Sequence, residues 1–533
     1  MRETPNILWI MCDQLRFDYL SCYGHPTLHT PHIDALAARG VRFTRAYVQS
    51  PVCGPSRMSF YTGRYMRSHG ANWNRFPLRV GEPTLGDHLR ELGVRCALVG
   101  KTHMAADAEG MARLGIDPAS SVGVLASQCG FEPYERDDGL HPDPSRPRPA
   151  YDEWLRAQGY EGANPWEHWT NSAADSDGGL LKGWLLQHSD KPARVPEPLS
   201  ETPYMTRRAM AFIDEAARED RPWCLHLSYI KPHWPYIAPA PYHAMYGAAD
   251  VLPAQRLEAE RADPHPVYRA FMDLRVSRAF ARDEVRKRVI PAYMGLVKQI
   301  DDQLGVLFGF LEERGLAQDT VVVFTSDHGD YLGDHWLGEK DLFHDVSVKV
   351  PLIVADPRAQ GDATRGTVCD ALVEGIDLVP TFVEMSGGAV KRHVVEGRSL
   401  LPLLRGETVA WRNYAFSEYD YSMLAVRTTL DQPIPDCRLF MVFDGRWKYV
   451  HAVGFPSMLF DLATDPQEFH DLGLNERYAS ECARLREALL AWALCDHTRI
   501  TMPDARIVGY GDSAQLKAGI LIGYWDEPGG GGI

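Results

Sequence analysis

Two short, almost unbroken apolar runs constrain the fold of this chain more than any other feature. Residues 6–12 read Asn-Ile-Leu-Trp-Ile-Met-Cys, and residues 320–325 read Thr-Val-Val-Val-Phe-Thr. Runs of this kind are typical of strands that are buried on both faces, as in a parallel sheet covered by helices. Further runs of strand character occur at 41–48, 95–99, 222–230 and 350–354.

Helical patterns alternate with these strands. The predicted helices are 31–39, capped by Thr30, 84–92, 204–219, 279–314 and 377–385. Pro291 predicts a break or kink in the fourth of them. This alternation predicts an open α/β sheet with helices on both faces. Residues 105–200 are rich in Pro, Gly, Asp and Trp and weakly periodic, so we expect a long irregular insertion that covers a site.

The pattern changes after about residue 410. Residues 438–443 and 446–450 read as two strands joined by an Asp-Gly pair, which predicts a β-hairpin with a tight turn. A further strand at 457–461 and a helix at 479–494 complete a small antiparallel sheet with one helix. The predicted division is a large α/β domain at 1–405, a smaller α+β domain at 406–500 and a tail at 501–533 that makes subunit contacts in a homo-oligomer.

The charge balance and the cysteines argue against several classes of protein. Lys plus Arg number 56 against 71 Asp plus Glu, and the net charge of −15 argues against nucleic acid or an anionic membrane as the main partner. The ten cysteines form no C-x-x-C pair, so they predict reduced thiols in a cytosolic protein. No long apolar run predicts a membrane span, and the start Met-Arg-Glu-Thr-Pro does not read as a signal peptide. We therefore expect a cytoplasmic protein.

Conspicuous polar residues follow four of the predicted strands. Each set has an ordinary interpretation by itself, such as a helix cap, a solvated lysine or a histidine packed between prolines. In an open α/β sheet, however, ligands bind beyond the carboxyl ends of the strands, so four such sets together predict one shared site. The sets are Asp13 with Gln14, Lys101 with His103, His233, and Asp327 with His328.

Asp13, Asp327 and their neighbours indicate a divalent metal. Carboxylate and amide oxygens favour a hard cation such as Ca²⁺ or Mg²⁺. A histidine nitrogen among the ligands would shift the preference toward Mn²⁺ or another transition metal. A bound ion of this kind lowers the pKa of a hydroxyl group and binds charge that develops on a transferred group.

Residues 53–57 read Cys-Gly-Pro-Ser-Arg and predict the start of a helix, with Pro55 at its first position. Cys53 then lies at the end of the helix where N–H groups are free, and Arg57 can reach back over that end. The ordinary interpretation of such a cysteine is a small buried hydrophobic residue. A sulfur nucleophile beside free amide donors and a guanidinium instead describes a site for a tetrahedral oxyanion.

The motif Cys-x-Pro-x-Arg at 53–57, followed by Thr-Gly-Arg at 62–64, resembles the signature of the sulfatase family. The resemblance implies an alkaline-phosphatase-like α/β fold, in which a large mixed, mostly parallel sheet is sandwiched by helices and joined to a smaller C-terminal antiparallel sheet with a helix. It also implies that a maturation enzyme oxidises Cys53 to formylglycine. The hydrated aldehyde has two hydroxyl groups, so one can attack sulfur and the other can later lose its proton and expel sulfate.

The same resemblance implies roles for the polar residues. One divalent ion, Ca²⁺ or Mn²⁺, would be held by residue 53 together with Asp13, Gln14, Asp327 and His328. Arg57 would support the hydrate, and His103 would help to deprotonate it and to break down the covalent intermediate. The remaining basic residues, which would bind the sulfate oxygens or assist the leaving group, are Lys101, His233 and Lys340.

Gln14 departs from the usual pattern, in which a second aspartate occupies this position. Asp-Gln with Asp-His resembles the phosphonate monoester hydrolase and phosphodiesterase branch, whereas Lys101 and His103 resemble the sulfatase branch. The first hypothesis is a sulfatase that acts on a small anionic ester, namely a sulfate monoester such as an aryl sulfate. The second is a phosphonate monoester or phosphodiester hydrolase with the same residues, with some promiscuity between the two. The third is a non-catalytic protein that binds a metal or an anion.

Overall fold

The computed structural model describes residues 4–139, 149–495, 497–508 and 517–526 of the chain. Fifteen strands occur in these residues. In chain order they are Asn6–Asp13 (β1), Val41–Tyr47 (β2), Arg95–Gly100 (β3), Glu132–Arg136 (β4), Ser172–Ala174 (β5), Leu180–Lys182 (β6), Trp223–Pro232 (β7), Thr320–Ser326 (β8), Lys349–Ala355 (β9), Thr367–Cys369 (β10), Val373–Glu374 (β11), Ala415–Asp420 (β12), Arg438–Phe443 (β13), Trp447–Ala452 (β14) and Met458–Asp461 (β15).

The same described residues contain eighteen α-helices, none of which is both long and apolar enough to cross a bilayer. In chain order they are Pro31–Arg39 (α1), Cys53–Thr62 (α2), Met66–His69 (α3), Leu85–Arg90 (α4), Ala108–Leu114 (α5), Ser121–Ala126 (α6), Ala150–Ala157 (α7), Glu201–Ala216 (α8), Ala259–Ala262 (α9), Pro266–Met272 (α10), Arg275–Phe280 (α11), Asp283–Glu313 (α12), Asp345–Val348 (α13), Leu378–Met385 (α14), Leu401–Leu404 (α15), Ala425–Thr429 (α16), Ala479–Leu494 (α17) and Asp504–Val508 (α18).

The large sheet has nine strands, in the order β10-β2-β9-β8-β1-β7-β3-β4, with β11 also paired to β2. The central strand β1 runs parallel to both neighbours, so that Ile7 lies opposite Cys224 of β7 and Val321 of β8. In the described part of the sheet, β9 alone runs antiparallel to the strands beside it. The predicted mixed, mostly parallel sheet is therefore confirmed.

Apolar side chains of β1 alternate between the two faces of the sheet and bury both of them. Trp9 packs in one core with Phe60 of α2 and Phe382 of α14. Ile10 belongs to a second core with side chains of α8 and α12, such as Phe212 and Ile300. Helices therefore cover both faces of the sheet, as the unbroken apolar run predicts.

Two regions differ from the sequence predictions. Residues 105–200, which were expected to be irregular, include three helices (α5, α6 and α7) and three strands (β4, β5 and β6). Strand β4 pairs with β3 at the edge of the large sheet. Its sequence Glu-Pro-Tyr-Glu-Arg has no apolar run, and an edge strand tolerates this because one side of it has no partner. Helix α12 continues through Pro291, so the predicted break is absent. Burial of Ile290, Ala292 and Tyr293 around the proline offsets the backbone hydrogen bond that it cannot donate.

The C-terminal sheet is antiparallel, in the order β12-β13-β14-β15. Strands β13 and β14 form the predicted hairpin, and Gly445 in its turn has a φ of 96°, which residues with a side chain rarely adopt. Helix α17 packs Leu485 and Trp492 against this sheet, where the Trp492 ring stacks on Phe416. The predicted small antiparallel sheet with one helix is confirmed.

A buried lysine joins the two sheets. Lys448 of β14 donates to the carbonyl oxygen of Phe343 at 2.9 Å and to the Asp345 carboxylate at 2.7 Å, and it pairs with Glu468 at 2.6 Å. Phe343 and Asp345 lie a few residues after Lys340 in the chain. The C-terminal sheet therefore holds the segment that carries this predicted site residue.

We expect Lys448→Met to lower the free energy of unfolding by about 3 kcal/mol, because it leaves buried carboxylates without their cation. Lys349→Met is the matched control, since Lys349 contacts the same Asp345 carboxylate at 3.3 Å with a partly exposed side chain. Its loss should stay below about 1 kcal/mol. Urea denaturation measures both variants, and equal losses would contradict the role given to Lys448.

Candidate active site

Helix α2 begins at Cys53, directly after the extended residue Val52. Pro55 therefore lies in the first turn and not at the predicted first position, and a first-turn residue needs no backbone N–H because no acceptor lies one turn back. The N–H of Gly54 is donated to Oδ1 of Asn74 at 2.7 Å. A Cβ atom at position 54 would lie 2.9 Å from the same Oδ1, so this contact requires the glycine.

Four neighbouring strands bring the predicted polar sets to one edge of the large sheet. The strands lie in the order β8-β1-β7-β3, and all three pairs are parallel, so their carboxyl ends meet. Asp13 ends β1, and Lys101 and His233 follow β3 and β7. Asp327 and His328 follow β8. The expectation that the four sets share one edge agrees with this arrangement.

Asp13, Cys53, Asp327 and His328 meet at one buried point. One ligand atom from each lies within 4.8 Å of the others. The Sγ atom of Cys53 is 3.1 Å from Nε2 of His328 and 3.7 Å from Oδ1 of Asp13. Two carboxylates with one imidazole nitrogen form a donor set that fits a divalent ion of mixed oxygen and nitrogen preference.

The Gln14 amide is oriented by its neighbours. Its Nε2 donates to Oδ2 of Asp330 at 2.5 Å and to the Tyr236 hydroxyl at 3.2 Å. Its Oε1 accepts from Nζ of Lys340 at 3.2 Å, and Lys340 in turn contacts Sγ of Cys53 at 3.3 Å. The amide oxygen, which is the atom able to bind a cation, therefore lies on the same side as Cys53.

The pKa values of Asp330 and His328 are both raised, but by different causes. Burial raises the pKa of the Asp330 carboxyl to about 6, although hydrogen bonds from Gln14 and Tyr236 act in the opposite direction. Burial by itself would lower the pKa of His328, but the Asp327 carboxylate and Cys53 raise it to about 9. A metal ion needs neutral imidazole, so binding of the ion at this point would release any proton that His328 holds.

Arg57 holds the two carboxylates of the group together. Its Nε is 2.7 Å from Oδ2 of Asp327, and its Nη2 is 3.1 Å from Oδ2 of Asp13. Its Nη1 donates to the Ser228 hydroxyl at 2.7 Å and to the carbonyl oxygen of Lys101 at 2.9 Å. The guanidinium is fully buried, so it neutralises Asp13 and Asp327 in a region of low dielectric constant.

Three further basic side chains surround Asp13 and Cys53. Nζ of Lys101 pairs with Oδ2 of Asp13 at 2.5 Å. Nζ of Lys340 is 3.3 Å from Sγ of Cys53. Nδ1 of His233 contacts the carbonyl oxygen of Trp234 at 2.8 Å, which assigns the proton to Nδ1 and leaves Nε2, 3.9 Å from Oδ1 of Asp13, as an acceptor. Burial lowers the pKa of His233 well below its ordinary value, in agreement with a neutral ring.

His103 lies near this group, and among the described residues its side chain makes no hydrogen bond or ion pair with it. Its backbone N–H donates to Oδ1 of Asp138 at 3.0 Å, and its φ of 59° is unusual for a residue with a side chain. The ring nitrogen Nδ1 is buried and has no hydrogen-bond partner in the described part of the chain. Burial and the nearby Lys101 ammonium lower the pKa of His103 well below its ordinary value.

Several residues that orient the predicted ones were not predicted. Asp330 and Tyr236 fix the Gln14 amide, Ser228 accepts from Arg57, and Asn74 accepts the Gly54 N–H. Asp330 is the one with a sequence signal, because it ends the run Ser-Asp-His-Gly-Asp that follows β8. The others belong to strands and loops whose sequence has no distinguishing feature.

Comparison with known proteins assigns most of the chain to one family. The family model described as Sulfatase matches residues 5–388, and the model described as N-sulphoglucosamine sulphohydrolase, C-terminal, matches residues 333–493. The multifunctional alkaline phosphatase superfamily protein PehA of Trinickia caryophylli is 32% identical over 538 residues, which cover 96% of this chain and 98% of the relative. The choline-sulfatase of Rhizobium meliloti is 29% identical, with 89% of this chain and 83% of the relative covered.

Solved structures extend the same likeness. The phosphonate monoester hydrolase of Silicibacter pomeroyi has a TM-score of 0.79 and 29% identity, with 93% of this chain and 96% of that chain covered. The phosphonate monoester hydrolase of Agrobacterium radiobacter has a TM-score of 0.78 and 28% identity, with 91% and 95% covered. Because the Sulfatase model matches well over half of this chain, the chain belongs to the sulfatase family.

Proposed function

We propose that this chain hydrolyses singly charged esters of tetrahedral acids, and phosphonate monoesters and phosphodiesters more efficiently than sulfate monoesters. The observation that carries the proposal is the Gln14 amide beside Lys340, because a neutral amide stands where the sulfatase pattern has a second aspartate. One fewer carboxylate makes the group more positive by about one charge, which favours a phosphoryl oxygen of higher charge density. The likeness to two phosphonate monoester hydrolases supports this preference.

Hydrolysis of sulfate monoesters, for which aryl sulfates are the expected form, is the second candidate. Lys101 and His103 match the sulfatase pattern, and the choline-sulfatase relative has 29% identity, as the phosphonate monoester hydrolase of Silicibacter pomeroyi does. Sulfate monoesters, phosphonate monoesters and phosphodiesters all carry a single negative charge around a tetrahedral centre. The same set of cations can therefore stabilise charge on any of them in the transition state.

The donor set fits one divalent ion. Asp13, Gln14, Asp327 and His328 would hold it together with residue 53, and the imidazole nitrogen favours Mn²⁺ over Ca²⁺. The ion supplies a lowered pKa for a bound hydroxyl and a counter-charge for the transferred group. Formylglycine, made from Cys53 by a maturation enzyme, supplies a hydrated aldehyde as the nucleophile.

The chain's own residues would bind and orient the ester around this point. Lys340 lies close enough to Cys53 to contact an oxygen of the acid group bound there. His233 is neutral, and its Nε2 is turned toward Asp13, so this nitrogen can accept the proton that residue 53 loses on attack and then pass it to the oxygen of the leaving group. His103, whose Nδ1 has no partner in the described residues, can accept the proton that is released when the covalent intermediate breaks down.

We also propose the cellular setting that the sequence predicts. The chain would act in the cytoplasm on a small anionic ester, after the maturation enzyme has modified Cys53. Its net charge of −15 makes nucleic acid and anionic membranes unfavourable partners. The tail at 501–533 would contribute to contacts in a homo-oligomer. Within the described part of this tail, Ile522 and Trp525 are 81% and 97% exposed, so they are available for such contacts.

The test compares kcat/KM for three esters with the same leaving group: 4-nitrophenyl sulfate, 4-nitrophenyl phenylphosphonate and bis(4-nitrophenyl) phosphate. The shared leaving group isolates the effect of the acid group. We expect the phosphonate to exceed the sulfate by at least about tenfold, which corresponds to roughly 1.4 kcal/mol of transition-state stabilisation. Protein loaded with Mn²⁺ and verified for formylglycine by mass spectrometry is required. A preference for the sulfate would replace the first candidate by the second.

A further inference from the structure

The segment that carries Lys340 has an unusual backbone. Glu339 and Asp341, on either side of Lys340, have φ values of 66° and 104°, in the region that favours glycine. Backbone conformations of this kind persist only where the surrounding structure enforces them. Nζ of Lys340, which lies between these two residues in the chain, is 3.3 Å from Sγ of Cys53 and 3.7 Å from Oε1 of Glu339.

Asp341 is a buried carboxylate without an ion-pair partner within 4 Å among the described residues. Only 8% of the residue is exposed. Burial, with Glu339 nearby, raises the pKa of its carboxyl to about 7, while Lys340, the Tyr419 hydroxyl and His328 lower it. A buried carboxylate that has no paired cation can be neutralised by a cationic group of a substrate.

Two aromatic side chains, Tyr419 and Trp73, lie near Asp341, and we call them the aromatic wall. Tyr419 of β12 is 1% exposed, and its hydroxyl has no hydrogen-bond partner of good geometry in the described residues. Apart from burial, the Asp341 carboxylate has the strongest effect on that hydroxyl and raises its pKa. The half-buried Trp73 ring lies 6.1 Å from the Tyr419 ring, and its neighbour Asn74 holds the Gly54 N–H beside Cys53. This wall therefore adjoins the residue proposed as nucleophile.

A second aromatic side chain lies near Glu339. The indole Nε1 of Trp234 donates to Oε1 of Glu339 at 2.5 Å, and the same oxygen is 3.7 Å from Nζ of Lys340. The Lys340 ammonium lies 5.8 Å from the centre of the Trp234 ring, within the range of a cation–π contact. Trp234 and Glu339 are both partly exposed, so a bound molecule can reach them.

We propose that Glu339, Asp341, Trp73, Trp234 and Tyr419 form a subsite for the leaving group of the ester, and that this subsite takes an alcohol or phenol with an ammonium group. The inference rests on the proposed hydrolysis. The acid end of the substrate meets Lys340 and the group around Asp13, whereas the leaving group meets two carboxylates and two indole rings. An ammonium group would pair with Asp341, donate to the Tyr419 hydroxyl and lie over an aromatic face. These residues would therefore complement a substrate that is negative at one end and positive at the other.

The experiment uses two phenylphosphonate esters that differ in one group. The leaving groups are 3-(aminomethyl)phenol, which carries an ammonium, and 3-ethylphenol, which has the same shape and no charge. Assays run at about pH 8, above the pKa of about 7 that burial gives Asp341. The readout is the ratio of kcat/KM for the two esters, because a ratio cancels differences in folding, metal loading and conversion of Cys53.

We expect the chain without substitutions, with Cys53 converted to formylglycine, to prefer the ammonium ester by about tenfold or more. Asp341→Asn and Glu339→Gln should each reduce that ratio severalfold, and Tyr419→Phe should reduce it less. Asp220→Asn is the matched control, since Asp220 is exposed and precedes the amino end of β7, at the opposite edge of the large sheet, so its loss should leave the ratio unchanged. A ratio near one in the chain without substitutions, or a ratio that Asp341→Asn does not change, overturns the inference. Hydrolysis of neither ester would instead refute the proposed function.

Discussion

Replacing Cys53 with alanine is expected to reduce kcat/KM for every ester by roughly 10⁴-fold or more. The Sγ position lies within 3.7 Å of His328, Lys340 and Asp13, so alanine removes the one side chain that can both bind the ion and attack the ester there. Cys53→Ser is expected to differ in kind. It supplies one hydroxyl where the hydrated aldehyde has two, so the covalent ester should accumulate and be visible by mass spectrometry.

Cys96→Ala is the control for this experiment. Cys96 is also a buried thiol, in β3, and its contacts lie outside the candidate site. Its loss should change stability and leave kcat/KM within about twofold. If Cys53→Ala retained the activity of the converted protein without substitutions, the nucleophile would be another group. If the converted protein hydrolysed no ester at all, the hypothesis of a non-catalytic binding protein would replace the enzyme.

Replacing Arg57 with methionine is expected to lower the free energy of unfolding by about 3–5 kcal/mol and to abolish hydrolysis. Methionine fills much of the same volume, but the Asp13 and Asp327 carboxylates lose the cation that neutralises them inside the protein. The free energy of unfolding of Arg57→Lys should lie between those of Arg57→Met and the protein without substitutions. A single ammonium cannot reproduce the four contacts of the guanidinium. Urea denaturation of metal-free protein measures the change in the free energy of unfolding separately from any change in metal binding.

Arg95→Met provides the contrast. Arg95 also pairs with several carboxylates, those of Glu132, Glu215 and Glu219, but these are 34–50% exposed. Solvent screens such pairs, so the loss should be about 1 kcal/mol or less. Equal destabilisation by the two substitutions would contradict the claim that burial of Asp13 and Asp327 makes Arg57 essential.

The local patterns of the sequence were sufficient for most elements of the fold. The apolar run at 6–12 predicted a strand buried on both faces, and Trp9 and Ile10 lie in two different cores. The Asp-Gly pair predicted the hairpin of β13 and β14. These features depend on neighbours in the chain, so they can be read from short segments. The edge strand β4 was missed because an edge position needs no apolar run.

The residues of the candidate site and their common edge of the sheet could be proposed from the sequence, but the contacts between these residues could not. Strand ends were enough to single out Asp13, Lys101, His233 and Asp327. Their adjacency depends on the order β8-β1-β7-β3, which differs from the order of these strands in the chain. The orientation of the Gln14 amide depends on Tyr236 and Asp330, and no spacing in the sequence relates these three residues.

The sequence by itself determined which chemical groups are available: a cysteine at a helix start, carboxylates and basic side chains after buried strands, and a glutamine in place of an aspartate. Only the tertiary structure decided which of these groups touch, because strand order and the docking of the C-terminal sheet bring together residues that are far apart in the chain. Tyr419 beside Asp341 is the clearest case. Its position follows from packing between two sheets, and long-range packing is not encoded in any one segment.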